Sequence, residues 1–295
     1  MMFTSRPYQP PDLERLCAFL ARCHQMSAVP DAFIHPGDLV WRTLQDAHYR
    51  PERGMRVWET GGETAGFVWQ KQLSLDFAAA PWLAREQRRA LMAAMLAYAE
   101  RQARAWGLEG RLFTSVSEND RESASVLESA GYARDDDVMY SLERSLREEI
   151  PAPQLAEGFG VRHPEAHELA ERVELHREVW HPSRFTLESY LNIRSAPVYR
   201  PDLDLVTLTP EGRFASYCVV WYDPLNRVGE FEPVGTRKAW ERRGLGKAVL
   251  MEGFRRLRKL GAKKAVVYCY EDNLAFYRSA GFEEFNRWWG FSKPL

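Results

Sequence analysis

Residues 230–247 read Glu230-Phe-Glu-Pro-Val-Gly-Thr-Arg-Lys-Ala-Trp-Glu-Arg-Arg-Gly-Leu-Gly-Lys247. A strand runs into a basic turn that holds Gly244 and Gly246, and a helix follows. The first N–H groups of a helix have no partner inside it, and the helix dipole adds partial positive charge at that end. Glycines there let phosphate oxygens approach without meeting a Cβ. Arg242, Arg243 and Lys247 add charge-assisted contacts, within a basic cluster from Arg237 to Lys247. The stretch is therefore suited to a pyrophosphate. Two other phosphate loops are excluded. GxxxxGK[ST] fails at Ala248 and Glu241, and GxGxxG fails at Val249. On the strand side, Pro233 cannot donate to a ladder, which predicts a bulge or splay beside Glu232.

Working outward, the same order of elements occurs twice. A turn at Gly62 matches one at Gly212, and Phe67 matches Tyr217, at an offset of 150. Apolar runs flank each turn, as a hairpin requires. Amphipathic helices are predicted over Arg85 to Trp106 and Gly244 to Leu260, each stopped by a glycine, Gly107 and Gly261. Strands follow at Leu112 to Val116 and Ala265 to Tyr270. Asn119 then matches Asn273 at an offset of 154, and Gly131 matches Gly281 at 150 again. The last helix of the second half is thus about one turn shorter. Leu142 to Gly160 mixes charge with two prolines and two glycines and reads as a linker. The 295 residues divide into two copies of one unit, over 1–145 and 158–295.

The loop and its surroundings resemble the GNAT superfamily of acetyl-CoA-dependent N-acetyltransferases. Gly244-Leu245-Gly246 fits its pyrophosphate motif. Asn273 followed by Phe276-Tyr277 and Gly281-Phe282 resembles its closing motif. The resemblance covers the second half from about Phe159 and, degraded, the first. It implies an α+β fold of two tandem GNAT-like domains, each with a mixed, mostly antiparallel sheet flanked by helices. It implies acetyl-CoA as acyl donor, bound by Val234, Gly235 and Thr236 on a cofactor-pairing strand, by Arg242, Arg243, Gly244, Leu245, Gly246 and Lys247, and by Asn273. A primary amine of a small molecule or peptide would attack the thioester directly, with Tyr277 as acid on the leaving thiolate. Glu241 departs from the motif, whose first position is usually Gln or Arg.

A base must take a proton from an ammonium at pH 7. Glu232 is the first candidate and Glu230 the second, because residues two apart on a strand face one side. A solvated strand face is the other reading of the pair. The first half has Ala90 and Met92 opposite Gly244 and Gly246, and Leu127 opposite Tyr277. It reads as a degenerate, non-catalytic copy. A non-enzymatic acyl-CoA-binding regulatory or partner protein is the alternative for the whole chain.

Forty Lys and Arg against 41 Asp and Glu argue against nucleic-acid binding, which needs a basic excess. No apolar run is long enough for a bilayer span, and no secretory leader pattern is present. Four cysteines without a CxxC pair fit a reducing cytoplasm, with Cys269 in an apolar strand as a buried, inert thiol. No metal site is expected. His163 and His167 are spaced for one, yet Pro164 favours a solvated or capping role. Asp135 to Asp137 reads as a solvated strand turn, and Trp288, Trp289 and Phe291 as a final strand. A homodimer is left open.

Overall fold

In the computed structural model, which describes residues 3–295, the first half runs β1 (Thr4–Pro7), α1 (Asp12–Met26), α2 (Pro36–Leu44), α3 (Pro51–Gly54), β2 (Met55–Thr60), β3 (Glu63–Lys71), β4 (Ser74–Ala79), α4 (Arg85–Ala105), β5 (Arg111–Ser117), α5 (Arg121–Ser129) and β6 (Ala133–Ser145). The second half runs β7 (Gly160–Arg162), α6 (Leu169–Val179), α7 (Leu187–Arg194), β8 (Asp204–Leu208), β9 (Phe214–Asp223), β10 (Val228–Thr236), α8 (Leu245–Lys259), β11 (Lys264–Cys269), α9 (Leu274–Ser279) and β12 (Glu283–Pro294). Both hairpins and both long helices lie where the alternation and the 3.6-residue period place them. Gly107 and Gly261 stop the long helices in the left-handed region, at φ +67° and +86°.

The contacts divide the chain elsewhere than at the expected linker. One unit holds the chain as far as Ile34, then Tyr49–Tyr140 and Asn286–Leu295. The other holds His35–His48 and Ser141–Phe285. Most of the last strand and the end of the sixth are thereby exchanged. In the first unit β12 lies antiparallel beside β5, from Trp288 opposite Ser117 to Pro294 opposite Arg111. In the second unit the end of β6 lies beside β11. Leu142 to Ser145 is therefore strand rather than linker, and the Leu142 side chain is fully buried. Asp135 to Asp137 also lies in β6, not in a turn.

The first unit orders its strands β1-β2-β3-β4-β5-β12, all antiparallel except β4 and β5. Its core joins Leu91, Met95 and Leu96 of α4 to Val68, Val116 and Phe291 of the sheet. In the second unit β7, β8, β9 and β10 form an antiparallel meander, and β10 pairs with β11 in parallel. Phe254 of α8 packs edge-on against Phe231 of β10 and Phe282, with ring centroids 5.0 and 5.3 Å away. Each such buried ring contributes about 1.5–3 kcal/mol through removal from water.

In both units the parallel pair separates early. β10 and β11 are paired only from Val228 to Glu230, although β10 continues to Thr236. β4 and β5 meet at Ser74 and Phe113 alone. Each sheet therefore opens a cleft at its centre, and the cleft places the site.

Candidate active site

The loop before α8 makes its turn with two left-handed residues, Arg242 at φ +61° and Gly244 at φ +79°. Gly244 is the N-cap of α8 and supplies no side-chain acceptor. The first intrahelical bond runs from Ala248 N–H to the Gly244 carbonyl, at 2.9 Å. The N–H groups of Leu245, Gly246 and Lys247 have no helical partner. A Cβ at Gly244 would meet open space, whereas one at Gly246 would lie 3.0 Å from Thr236 Oγ1 and 3.2 Å from the Phe276 ring. Gly246 thus lets the helix end sit close against the end of β10. Arg242, Arg243 and Lys247 are exposed. These residues fit a pyrophosphate: main-chain donors without helical partners, the helix dipole and three exposed cations lie within one short loop. Glu241 is exposed as well. Arg237 does not join the cluster. It is buried and donates to the Glu178 carboxylate at 2.7 Å, so its role is structural.

The break in β10 falls where Pro233 predicts it. The register with β9 shifts between Phe231 and Val234, and the Glu232–Pro233 peptide is cis. The Trp221 indole N–H donates to the Glu232 carbonyl at 2.6 Å, replacing the ladder bond lost at the bulge. Burial, first, and then the negative charges of Asp38 and Glu230 push the Glu232 carboxyl up to about 8, with Arg42 opposing. Part of the residue still meets solvent, which screens these charges. Glu230 is 1% exposed, and its Oε2 lies 3.2 Å from Nδ1 of His35. The pair is therefore not a solvated strand face.

Tyr277 of α9 is buried, with its ring against Phe276 and Phe282. Desolvation raises its hydroxyl, and the charge of Glu232 is the next cause. It stays protonated at neutral pH, as a proton donor must. Glu232 and Tyr277 are thus near enough for the charge of one to act on the other. Asn273 is exposed, at the start of α9, and α9 has six residues against nine in α5. The last helix of the second half is thus the shorter of the two, as expected.

Sequence reading missed two contributions to this site. The first is α2, which packs on β9 and β10. A Cβ on its Gly37 would lie 2.1 Å from the Trp221 side chain, so only glycine allows this approach. Trp41 of α2 packs on His176 and Phe185. The Pro36-Gly37 start carries a helix signal, but nothing local shows that the helix serves the other half's sheet. The second is a buried polar network. Tyr217 bonds to Nδ1 of His176 at 2.6 Å and accepts from the Trp180 indole at 2.7 Å. Desolvation pushes the His176 imidazole down to about 3, so it is neutral and accepts from the Tyr217 hydroxyl. Arg172 covers the Tyr217 ring at 3.7 Å and is ion-paired to the fully buried Asp204, which also accepts from Tyr190 and Tyr199. Among the described residues no group of His, Cys, Asp and Glu is arranged to hold a metal ion.

The first unit keeps the cleft and loses the donors. A cavity of about 360 Å³ lies there, lined by Arg85, Arg88 and Arg89 of α4, with Phe77, Ser115 and Trp288. Glu122 of α5 occupies the basic end, ion-paired to Arg88 and 3.5 Å from Arg85. Ala90 and Met92 stand in α4 at the places of the two loop glycines.

Residues 168–282 match the family model "Acetyltransferase (GNAT) family". The second half carries a GNAT acetyltransferase domain. A mycothiol acetyltransferase of Saccharomonospora viridis is 28% identical over 176 residues, which is 55% of this chain and 58% of that protein. The chain thus matches little more than half the length of this curated relative. Among solved structures, a tandem GNAT protein from the clavulanic acid biosynthesis pathway covers 99% of this chain and 98% of its own, at TM-score 0.68 and 15% identity. A GCN5-related N-acetyltransferase from Sphaerobacter thermophilus covers 99% and 95%, at TM-score 0.66 and 18% identity. At these identities the structures establish the fold, and they extend the GNAT architecture over both halves. No described helix is long and apolar enough to cross a membrane.

Proposed function

We propose that the second unit is an N-acetyltransferase that moves acetyl from acetyl-CoA to a primary amine of a small molecule or peptide. The observation that carries this reading is the open start of α8 packed against the end of β10, the strand whose bulge holds Glu232, with Phe276, the neighbour of Tyr277, at the same contact. Pyrophosphate is held by the N–H groups of Leu245, Gly246 and Lys247 and by the Arg242 and Arg243 side chains. The pantetheine arm enters between β10 and β11 and pairs with Val234 to Thr236, where the ladder to β11 has ended.

Glu232 takes the ammonium proton, and the freed amine attacks the thioester carbonyl. Main-chain N–H on β10 meets the developing oxyanion. As the tetrahedral species collapses, the C–S bond breaks, the Tyr277 hydroxyl gives its proton to the thiolate, and the second proton lost by the acylated nitrogen restores the Tyr277 hydroxyl. A carboxyl raised toward 8 is matched to proton transfer near neutral pH, which a fully solvated carboxylate is not. The expected first half, non-catalytic, walls the site through α2. The four cysteines are free and buried, which is in keeping with a cytoplasmic setting.

The test is release of free thiol from acetyl-CoA across a panel of primary amines, including an acceptor related to mycothiol, which the relative's name suggests. Thiol release that rises with pH through about 8 supports the reading. Acetyl-CoA binding without thiol release on any amine would favour a non-enzymatic acyl-CoA-binding protein instead.

A further inference from the structure

The cavity of the first unit keeps positive charge that its own acids do not balance. Its walls carry Arg85, Arg88 and Arg89 of α4 and Arg121 of α5, against Asp120 and Glu122. Glu122 is paired with Arg85 and Arg88. Asp120 caps α5, accepting from the Ser123 N–H at 3.0 Å and from the Ser123 hydroxyl at 2.6 Å. Arg89 has no carboxylate partner among the described residues. It is half-buried and donates to the Ser125 hydroxyl at 3.3 Å, which uses one of the five N–H groups of a guanidinium. Much of the remaining wall is apolar, with Phe33, Phe77, Met92, Val116 and Trp288. Residues 27–33, which follow α1, are tied to β12 there. The Asp31 carboxylate accepts from the Trp288 indole N–H at 2.9 Å and from the buried Asn286 amide at 2.8 Å. The apolar wall is therefore held in place before any ligand arrives.

We propose that this cavity binds a small carboxylate with an apolar body: Arg89 and the Ser125 hydroxyl hold the carboxylate, and Phe33, Phe77 and Trp288 enclose the rest. The planar fork of a guanidinium matches the two oxygens of a carboxylate. One negative charge balances the one that Arg89 brings. A pyrophosphate would bring more charge than Arg89 balances and would meet the Glu122 carboxylate. Ala90 and Met92 also stand in place of the glycines that admit a pyrophosphate at α8. The cavity, about 360 Å³, lies at the small end of the range for sites of small organic ligands, about 300–1,000 Å³. The first cleft is thus a ligand site of its own rather than a second coenzyme site. Binding there is independent of whether the second unit transfers acetyl.

The probes are hexanoate and phenylpropionate, titrated into the full chain labelled with 15N and followed by NMR. The Trp288 indole signal is assigned with Trp288→Phe. At least one of the two probes should move that signal along a saturable curve. Hexanamide keeps the body without the charge and acetate keeps the charge without the body, so each should bind about tenfold more weakly or worse. Arg89→Gln should weaken the bound probe by about tenfold or more. Pyrophosphate should leave the Trp288 signal of the wild type unmoved. If Arg89→Gln does not fold, Ser125→Asp decides, because a carboxylate built beside Arg89 should abolish the shift. No saturable shift of Trp288 with either probe up to about 10 mM would overturn the proposal. So would hexanamide binding as tightly as hexanoate, or affinity within about twofold of wild type in the Arg89→Gln or Ser125→Asp protein. A Trp288 shift with acetyl-CoA in place of the carboxylates would overturn it in favour of a second coenzyme site.

Discussion

Helices α4 and α8 both follow the place where two parallel strands of their sheets part, α4 starting earlier in the matched sequence, and they meet that position with different chemistry. At α8 two left-handed residues and a close-packed glycine leave the first N–H groups open, and no carboxylate is paired with Arg242, Arg243 or Lys247 among the described residues. At α4 the glycines are Ala90 and Met92, and Glu122 is ion-paired with Arg85 and Arg88. The sequence offsets explain the second difference. The four residues present after Asn119 and missing after Asn273 include Glu122. The shortened last helix, which on sequence alone counts against activity, removes the turn that carries the competing carboxylate. The two units thus differ in that Glu122 pairs with two of the three arginines of the first cleft, whereas the cations at the start of α8 carry no such partner among the described residues.

The largest expected effect breaks the comparison at its chemical end. Glu232→Gln should lower kcat/KM for the amine by about 10²-fold or more at pH 7, read by thiol release. A loss below twofold removes Glu232 from the base role. The same variant has a stability signature. Because the folded-state carboxyl is raised to about 8, the folded protein holds its proton above the ordinary carboxylate range. The associated stability is complete at pH 4 and is lost as pH rises through 8. Thermal melts from pH 5 to pH 9 should fall less steeply in Glu232→Gln than in wild type.

Tyr277→Phe comes next, with kcat reduced about 10²-fold and acetyl-CoA affinity retained, since the ring packing against Phe276 and Phe282 survives. Joint replacement of Arg242 and Arg243 by Ala should weaken acetyl-CoA binding by about tenfold or more, measured by calorimetry. The smallest effect sharpens the comparison from the other side. Glu122→Ala should free Arg85 and Arg88 and give the first unit weak pyrophosphate binding, with Kd on the order of 1 mM, followed by NMR shifts at Ser115 and Trp288.

What could be read ahead of the structure divides by range. Periodicity and turn chemistry act over a few residues, and they located both hairpins, both long helices and the α8 loop. The bulge at Glu232 followed from the missing N–H of Pro233. Partner choice acts over the whole chain. The exchange of β6 and β12 leaves no local mark, because Leu142 and Phe291 are apolar strand residues whichever sheet receives them. His35 lies 195 positions from Glu230 in sequence, and the two meet only where α2 lands. Arg237 shows the reverse error. It belongs to a basic run by sequence, yet burial beside Glu178 and Phe214 takes it out of that run.

The comparison is tested most directly by the stoichiometry of acetyl-CoA binding to the full chain. Calorimetric titration should give one site per chain, abolished by Gly246→Val, whose side chain would press on Thr236 and Phe276, and retained in Arg88→Ala. Two sites of similar affinity, or one site that survives Gly246→Val and disappears with Arg88→Ala, would contradict the assignment of the chemistry to the second unit.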